Sequence, residues 1–387
     1  MSDQEGLEWV NTTFGLEPRW TKEPDVDIIR NLARKHLGHD DEVQIDVTFY
    51  AQGAFNKLYK IQAAGSACLM RVALPVCPHL KTESEVATIN FVRDHVDIPA
   101  PHILAYDSAS HNDLGFEWIL MELMPGDTLR KRWRKMSWNT KATVVKQLAQ
   151  YQARLNSKPF LEIGNLFAPA EGSLSPAIGP MVSQVFFWGD RLTHNVPRGP
   201  FKSSLKWLQT RLDLAIADQE RLLRMSENED DIEDAEFAKA LAGEVTEEPP
   251  QVFKHEVLKR TVLFHDDISM QNILVDDEGE LTAVIDWECS DDQAQNAADA
   301  LDNEGVNNLY WEHRLEYEQT QLRRTYTEEM ATLIPYWTAA VESSTLQADF
   351  DKAVHNCDNP WAFKIVSRWL QAYKGGNIKS LSDKLLE

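Results

Sequence analysis

Residues 262–288 read VLFHDDISMQNILVDDEGELTAVIDWE, and this stretch decides the predicted fold of the chain. Three short apolar runs, VLF, NILV and TAVID, alternate with polar segments, as expected for short strands. DDEG, between the second and third runs, is typical of a turn. The pattern places Asp267 and Asn272 on or beside one loop and Asp286 at the end of the neighbouring strand. A turn between paired strands can bring these three polar side chains onto one rim.

Two aspartates and an asparagine on one rim form a set that phosphoryl transfer from a nucleotide needs. One Asp orients the acceptor hydroxyl and accepts its proton, while the Asn and the other Asp hold Mg²⁺ against the phosphates. Hard oxygen ligands suit Mg²⁺, and no pair among the four cysteines has the CxxC spacing of a zinc site. The stretch therefore contains the residue types that Mg²⁺-dependent phosphoryl transfer requires.

Strand-like runs dominate the chain before residue 125. IDVTFY, KLYKIQ and ACLMRV are short and rich in large or β-branched apolar residues, and AQGAFN between the first two predicts a hairpin. KTESEVATINFVRDHV has helical spacing, and FEWILMELMPG predicts a buried strand that ends at Pro125-Gly126. These patterns predict a β-rich N-terminal lobe at residues 41–124. A helical extension at 1–40, capped by Gly38, precedes it.

The remaining residues, 125–387, predict a mainly helical C-terminal lobe, which makes the fold class α+β. Residues 157–200 are rich in Gly, Pro and Ser and predict a long ordered loop. The acidic run SENEDDIEDAE at residues 226–236 predicts a solvated insertion or a disordered loop.

Composition limits the partners of this chain. The formal net charge is −22 over 387 residues, which disfavours binding to nucleic acid or to an anionic membrane surface. The opening MSDQEGLEWV lacks the blocks of a signal peptide and is too acidic for a typical mitochondrial leader. No apolar run approaches the roughly 18 residues of a membrane helix. We therefore expect a cytoplasmic monomer or homodimer.

The motif His265-x-Asp267-x-x-x-x-Asn272, followed by Ile285-Asp286-Trp287-Glu288, resembles the aminoglycoside phosphotransferase family. The family consists of small-molecule relatives of protein kinases that share the bilobal kinase fold. Further similar segments, which extend the resemblance over roughly residues 45–300 in the family's order, are Gln52–Asn56, Met70–Val72, Ile98–Pro101 and Ile119–Gly126.

The resemblance implies a role for each matching residue. Asp267 would be the catalytic base, Asn272 and Asp286 would ligate Mg²⁺, and His265 would brace the catalytic loop. The other implied roles concern ATP: backbone N–H groups of Gly53, Ala54, Phe55 and Asn56 meet the phosphates, and the hinge backbone from Glu122 to Met124 meets the adenine. The acceptor would be a hydroxyl group of a small molecule.

Arg71 departs from the family pattern, because it stands where the nucleotide-binding lysine is expected. An arginine keeps the positive charge and can pair with Glu85, or alternatively with Glu83, on the following helix. On charge alone, Arg71→Lys is expected to retain most ATP binding. The departure leaves open a second hypothesis, a catalytically weak or inactive kinase-like protein that serves for binding or as a scaffold.

Two further features have two interpretations each, and Asp266 has one. The carboxylates that follow the motif can form an acidic wall for a cationic acceptor or a solvated helix start; they are Asp291, Asp292, Asp299, Asp302 and Glu304. Trp188 is a candidate for a pocket wall or for a buried core residue. Asp266 is interpreted as a surface neighbour of Asp267, because the motif spacing selects Asp267.

Overall fold

The computed structural model describes residues 4–12, 15–173, 175–253, 260–288, 308–377 and 380–385. The chain divides into two compact units. Unit 1 comprises Met1–Pro159, Asn165–Leu192 and Val262–Ile334, and unit 2 comprises Phe160–Gly164, Thr193–Thr261 and Pro335–Glu387. The α+β class predicted from the sequence is confirmed, with a β-sheet N-terminal region and a helical C-terminal region. The lobe boundaries at residues 41–124 and 125–387 stay a prediction.

The described strands are β1 (Leu7–Thr12), β2 (Gly15–Trp20), β3 (Ile45–Gln52), β4 (Asn56–Ala63), β5 (Ser66–Ala73), β6 (Ile103–Asp107), β7 (Glu117–Glu122), β8 (Asp127–Thr128), β9 (Asn165–Phe167), β10 (Ala177–Gly179), β11 (Ile273–Val275) and β12 (Leu281–Val284). The described α-helices are α1 (Val26–Leu37), α2 (Leu80–Phe91), α3 (Leu129–Trp133), α4 (Trp138–Asn156), α5 (Gln184–Phe187), α6 (Ser204–Met225), α7 (Glu229–Glu247), α8 (Pro249–Val252), α9 (Asn308–Leu333), α10 (Trp337–Ser343), α11 (Thr345–Asn356), α12 (Phe363–Lys374) and α13 (Leu381–Leu385). A π-helical turn, Val92–Val96, follows α2, and a 3-10 turn covers Arg191–Thr193.

The N-terminal segment holds the predicted helix and an additional hairpin. The helix α1 begins after Asp25, whose side chain accepts hydrogen bonds from the next turn, and ends at Gly38 in the left-handed conformation. The antiparallel pair β1–β2 precedes it and was not predicted. Pro18 within β2 weakens the strand pattern in the sequence, although a two-stranded ribbon tolerates proline at its edge.

A five-stranded antiparallel sheet with the order β3-β4-β5-β7-β6 is the main element of unit 1. Successive side chains of β5 point to opposite faces of the sheet, as the strand period of two requires. Met70 and Val72 pack in the core cluster that includes Ile29 of α1. Arg71 pairs in register with Ile119, which packs with Val86 of α2 on the other face. The alternation therefore directs Arg71 toward the α2 side.

The short sheet β8-β11-β12 carries the motif stretch, because Asn272 precedes β11 and Asp286 follows β12. The DDEG segment forms the predicted turn, in which the Asp276 N–H donates to the Glu280 carbonyl at 3.0 Å. Ile273 pairs with Val284 across the two strands. The Ile285 N–H also donates to the Asn272 carbonyl at 2.9 Å, which keeps the two strand ends together.

Unit 2 is helical around its own apolar core. Its buried cluster draws on α6, α7, α11 and α12, and its members include Leu212, Leu241, Phe350 and Trp369. Of the two alternatives for residues 226–236, the disordered loop is wrong, since most of that run belongs to α7, whereas most of its side chains are exposed to solvent as the other alternative expected. Asn228 caps the helix and three acidic residues fill its first turn, where the helix dipole favours negative charge. The expected loop at 157–200 contains β9, β10 and α5.

Gly126 ends the predicted hinge at a close backbone approach in unit 1. Its φ is +103°, and a Cβ there would lie 2.6 Å from the Val275 carbonyl oxygen and 2.8 Å from Thr282 Oγ1. The Thr282 hydroxyl donates to the Pro125 carbonyl at 2.7 Å, which fixes the segment against β12. Only glycine satisfies both the dihedral angle and the contact distance.

Gly126→Ala is therefore expected to lower the free energy of unfolding by about 2–4 kcal/mol, since backbone strain and steric overlap both contribute. The matched control is Gly65→Ala, which has φ +82° with nothing within 4 Å of the added methyl group. The control should cost only the strain, about 1 kcal/mol. Denaturant unfolding measures both values. If the two variants lose the same free energy of unfolding, a methyl group at position 126 does not overlap with Val275 and Thr282.

Candidate active site

The predicted catalytic base and one predicted metal ligand are joined directly. Asn272 is 3% exposed, and its Nδ2 donates to Asp267 Oδ2 at 2.7 Å and to the Asp267 carbonyl at 3.0 Å. The asparagine amide thus fixes the orientation of the Asp267 carboxylate. Because its nitrogen faces Asp267, the atom that Asn272 can offer a metal is its oxygen, Oδ1.

His265 contacts the residues on either side of Asp286. Its Nε2 lies 3.0 Å from the Ile285 carbonyl oxygen, and its ring centre lies 4.6 Å from that of Trp287. Burial lowers the pKa of His265 below its usual value, which favours the neutral ring. A carbonyl oxygen only accepts, so the neutral ring carries its proton on Nε2. These contacts support the structural role expected for this histidine.

Asp286 adopts an unusual backbone conformation directly after β12. Its φ is +65°, in the left-handed region that costs a non-glycine residue of order 1–3 kcal/mol. Burial, and next the charge of Glu288, raises the pKa of Asp286 to about 6. A carboxylate held in a strained and electrostatically unfavourable place is typical of a functional position.

Arg71 is the cation around which this site is organised. It is 6% exposed, and its guanidinium forms ion pairs with Glu85 through Nη1 and with Glu288 through Nη2. Nη2 also lies 3.3 Å from Asp286 Oδ1. Burial disfavours the charged form, but the facing carboxylates, foremost Glu288, outweigh it and raise the pKa of Arg71.

Of the two candidate partners for Arg71, the structure brings Glu85 to it. Burial raises the pKa of Glu85 to about 7, while the charge of Arg71 acts in the opposite direction. Glu83 instead accepts a hydrogen bond from the Ser108 hydroxyl at 2.6 Å and one from Tyr106 at 3.3 Å.

Sequence reasoning missed two buried charged residues of the site, Lys81 and Glu288. The Lys81 ammonium pairs with Glu288 Oε2 and donates to Asn56 Oδ1 at 3.2 Å. Asn56 Nδ2 donates to Glu288 Oε1 at 2.5 Å. Burial alone raises the pKa of Glu288, but Arg71 and Lys81 outweigh it and lower the pKa. A signal was present, because Lys81 and Glu85 are spaced i, i+4 on one helix face.

The charges of this described cluster do not balance. Two cations, Arg71 and Lys81, face three carboxylates, which belong to Glu85, Asp286 and Glu288. With all five groups charged, one negative charge is left over. A divalent cation bound by the oxygens of Asn272 and Asp286 would more than offset it, and an all-oxygen donor set fits Mg²⁺.

The predicted phosphate-covering hairpin has an exposed tip and a buried base. Gly53 and Ala54 are exposed, whereas Phe55 is buried with its ring centre 5.4 Å from that of Phe187 and 6.2 Å from that of Trp188. Trp188 thus packs against Phe55 at the base of the hairpin. The Gly53 N–H donates to the Asn56 carbonyl at 2.9 Å and is therefore engaged within the hairpin.

The predicted adenine-binding hinge begins at the last residue of β7. The Glu122 N–H donates to the His102 carbonyl at 2.9 Å, and the Glu122 carboxylate accepts from the His102 N–H at 3.2 Å. The amide of Glu122 is thus used by the sheet, and Met124 lies half-buried beyond the strand. The possible acidic wall, Asp291 to Glu304, lies outside the described residues.

Comparison with known proteins places the chain in a family. The family model for APH, the phosphotransferase enzyme family, matches residues 46–294. A subtelomeric hrmA-associated cluster protein of Aspergillus fumigatus is 30% identical over 170 residues, which cover 41% of this chain and 33% of that protein. An altered inheritance of mitochondria protein 9 of Meyerozyma guilliermondii is 31% identical over 145 residues, or 35% of this chain and 24% of that protein. The matches thus span a third or less of these relatives' lengths.

Solved structures of aminoglycoside phosphotransferases are also similar. A thermostable mutant of APH(4)-Ia in its apo form is 15% identical, with a TM-score of 0.47, and the match covers 89% of this chain and 99% of that one. A ternary complex of a related mutant with ADP and hygromycin B is 14% identical, with a TM-score of 0.46 and coverage of 89% and 98%.

The expectation of a cytoplasmic protein is contradicted by these relatives. The proteins from Meyerozyma guilliermondii, Candida tropicalis and Debaryomyces hansenii are all named as mitochondrial. The expectation rested on the opening MSDQEGLEWV, which is more acidic than a typical mitochondrial leader. Among the described helices, none has both the length and the apolar character needed to cross a membrane.

The family is shown by the extent of the match rather than by the solved structures. Residues 46–294 make up more than half of the chain, and they include Arg71, Glu85, Asp267, Asn272 and Asp286. The protein therefore belongs to the phosphotransferase enzyme family.

Proposed function

We propose that this protein transfers the γ-phosphoryl group of ATP to a hydroxyl group of a small molecule in a Mg²⁺-dependent reaction, with Asp267 as the base. The observation that carries the proposal is the hydrogen bond of 2.7 Å from Asn272 to Asp267, which lies beside the paired strand ends that also position Asp286. A base and two oxygen donors for a metal are thus held together by one short sheet.

In the proposed reaction, Asp267 accepts the proton of the acceptor hydroxyl while the oxygen of that hydroxyl attacks the γ-phosphorus. The new O–P bond forms while the bond from the γ-phosphorus to the β–γ bridging oxygen breaks, and ADP leaves with that oxygen. The amide of Asn272 keeps the carboxylate turned toward the acceptor throughout. Positioning of this kind supplies much of the rate in phosphoryl transfer, because the transition state requires little covalent chemistry from the protein.

Asn272 and Asp286 would hold Mg²⁺ through oxygen atoms. When bound, the ion neutralises charge on the β- and γ-phosphates. The surplus negative charge of the cluster around Arg71 supports this assignment. Arg71, oriented by Glu85, would supply a fixed positive charge for the phosphates, in the position where the family resemblance places a lysine.

The proposed acceptor is a small molecule with a hydroxyl group. The solved relative named above was crystallised with hygromycin B, which is a statement about that protein alone. The second hypothesis, a kinase-like binding or scaffold protein without turnover, makes an opposite prediction for the Arg71→Lys variant below.

Asp267→Asn is expected to reduce phosphoryl transfer by at least about a hundredfold, because the base is lost. ATP binding should remain, since Asp267 does not hold the nucleotide. ADP release across a panel of hydroxyl compounds and isothermal titration with ATP measure the two effects. Asp266→Asn is the matched control and should retain activity. Full activity of Asp267→Asn would refute the assigned base.

Asp286→Ala is expected to abolish the gain in ATP affinity that Mg²⁺ provides, because one of two proposed metal ligands is removed. The measurement is the thermal shift caused by ATP with and without Mg²⁺. The exposed turn residue Asp277 provides a control, and Asp277→Ala should leave the shift unchanged. A full Mg²⁺-dependent shift in Asp286→Ala would place the metal elsewhere.

Arg71→Lys is expected to weaken ATP binding by about tenfold, or ~1.4 kcal/mol. This reverses the expectation based on charge alone. The guanidinium pairs with Glu85 through one nitrogen and with Glu288 through another, and a single ammonium on a shorter stem cannot occupy both positions.

Isothermal titration of both proteins with ATP and Mg²⁺ is the test for Arg71→Lys. The scaffold hypothesis predicts that the unmodified protein does not bind ATP and that the lysine variant gains binding. That result would refute the enzyme proposal.

A further inference from the structure

Arg71 Nη2 faces the carboxylates of Asp286 and Glu288, of which only Asp286 is a proposed metal ligand. Nη2 forms an ion pair with Glu288 Oε2 and lies 3.3 Å from Asp286 Oδ1. A charge-assisted hydrogen bond is usually 2.7–2.9 Å long, so the contact with Asp286 is loose. Glu288 and Asp286 therefore share one cationic nitrogen, and in this structure Glu288 is its closer partner.

Glu288 is held in place by groups that belong to other elements of unit 1. Asn56, the first residue of β4, donates to Oε1 at 2.5 Å, and the Lys81 ammonium of α2 pairs with Oε2. Lys81 also donates to the Asn56 side-chain oxygen at 3.2 Å, which closes a ring of three side chains. The Glu288 side chain is only 3% exposed. Its position is thus set by side chains of the protein.

Removal of the Glu288 charge would change what Arg71 does. An arginine side chain stays protonated, so Nη2 would keep its charge and turn to the remaining neighbouring carboxylate. That carboxylate is Asp286, the proposed metal ligand. A tightened ion pair with Arg71 would then compete with Mg²⁺ for Asp286, because both cations stabilise the same ionised oxygen.

We infer that Glu288, fixed by Asn56 and Lys81, is a positioning residue that keeps Asp286 available to Mg²⁺ by holding the guanidinium of Arg71. The inference rests on the proposed function and extends it to three residues outside its catalytic set. It also gives a physical reason why arginine can stand at position 71. Arg71 is permanently charged and lies beside Asp286, the proposed metal ligand. A second carboxylate, that of Glu288, is therefore needed to hold its Nη2.

The test is isothermal titration of the full chain with ATP at a series of Mg²⁺ concentrations. Glu288→Gln keeps the size of the side chain and removes its charge. The Mg²⁺ concentration that gives half of the full ATP affinity should rise about three- to tenfold. At saturating Mg²⁺, the ATP affinity should return to within about twofold of the unmodified value, because Arg71 remains present.

Glu318→Gln is the matched control. Glu318 is also a buried carboxylate paired with a lysine, since Lys141 Nζ lies 2.7 Å from its Oε2. Both substitutions remove such a pair, so both are expected to lower the melting temperature. Only Glu288→Gln should change the Mg²⁺ requirement. An equal rise in Glu318→Gln would indicate general loosening and would overturn the inference.

A second substitution separates the inference from damage to the network. Lys81→Met removes one of the two groups that fix Glu288, but Asn56 still binds Oε1 and the Glu288 charge still holds Arg71. The Mg²⁺ requirement should therefore not rise, whereas general damage would raise it. This variant also keeps the inference testable if Glu288→Gln fails to fold, and a threefold or larger rise in Lys81→Met would overturn the inference.

Failure of the inference and failure of the proposed function give different results. If the unmodified chain binds ATP and Glu288→Gln shows an unchanged Mg²⁺ requirement, the inference alone is wrong. If the unmodified chain binds no ATP at any Mg²⁺ concentration, the proposed function is wrong and the inference falls with it.

Discussion

The guanidinium of Arg71 is the group on which the geometry of the candidate site depends. Through its nitrogens it joins a central strand of the sheet to Glu85 on α2 and to Glu288 and Asp286 after β12. Buried charges are costly unless they are paired, so each of these elements has a defined place relative to the others. Removing one partner would leave an uncompensated charge in the interior, which costs more than the pair itself contributes to stability.

The local geometry of the strands and of α2 brings these groups together. The period of two along β5 turns Arg71 toward α2, and the spacing of Lys81 and Glu85 places both on one face of that helix. The left-handed conformation of Asp286 and the close approach at Gly126 position the segments on either side of β11 and β12. Asp286 thus combines a strained backbone with a proposed chemical role, a combination found at functional sites.

Much of the fold followed from local pattern. The strands β3, β4, β5 and β7, the helix α1 with its cap at Gly38, and the DDEG turn all lie where periodicity and turn residues predicted them. The helix α7 was missed because its acidic first turn was interpreted as a solvated run, although Asn228 signals a cap. The hairpin β1–β2 carried a proline that weakened its pattern. The network of Asn56, Lys81 and Glu288 joins residues 232 positions apart, and spacing along a chain contains no information about such a pair.

The most direct test of the account is a crystal structure of the chain with a non-hydrolysable ATP analogue and Mg²⁺. In this complex, oxygens of Asn272 and Asp286 should ligate the ion, and Arg71 should keep its contact with Glu288. Asp286 should move away from Arg71 Nη2, which lies 3.3 Å from its Oδ1 here. A complex in which Asp286 stays on Arg71 while the ion is bound by other groups would contradict the account.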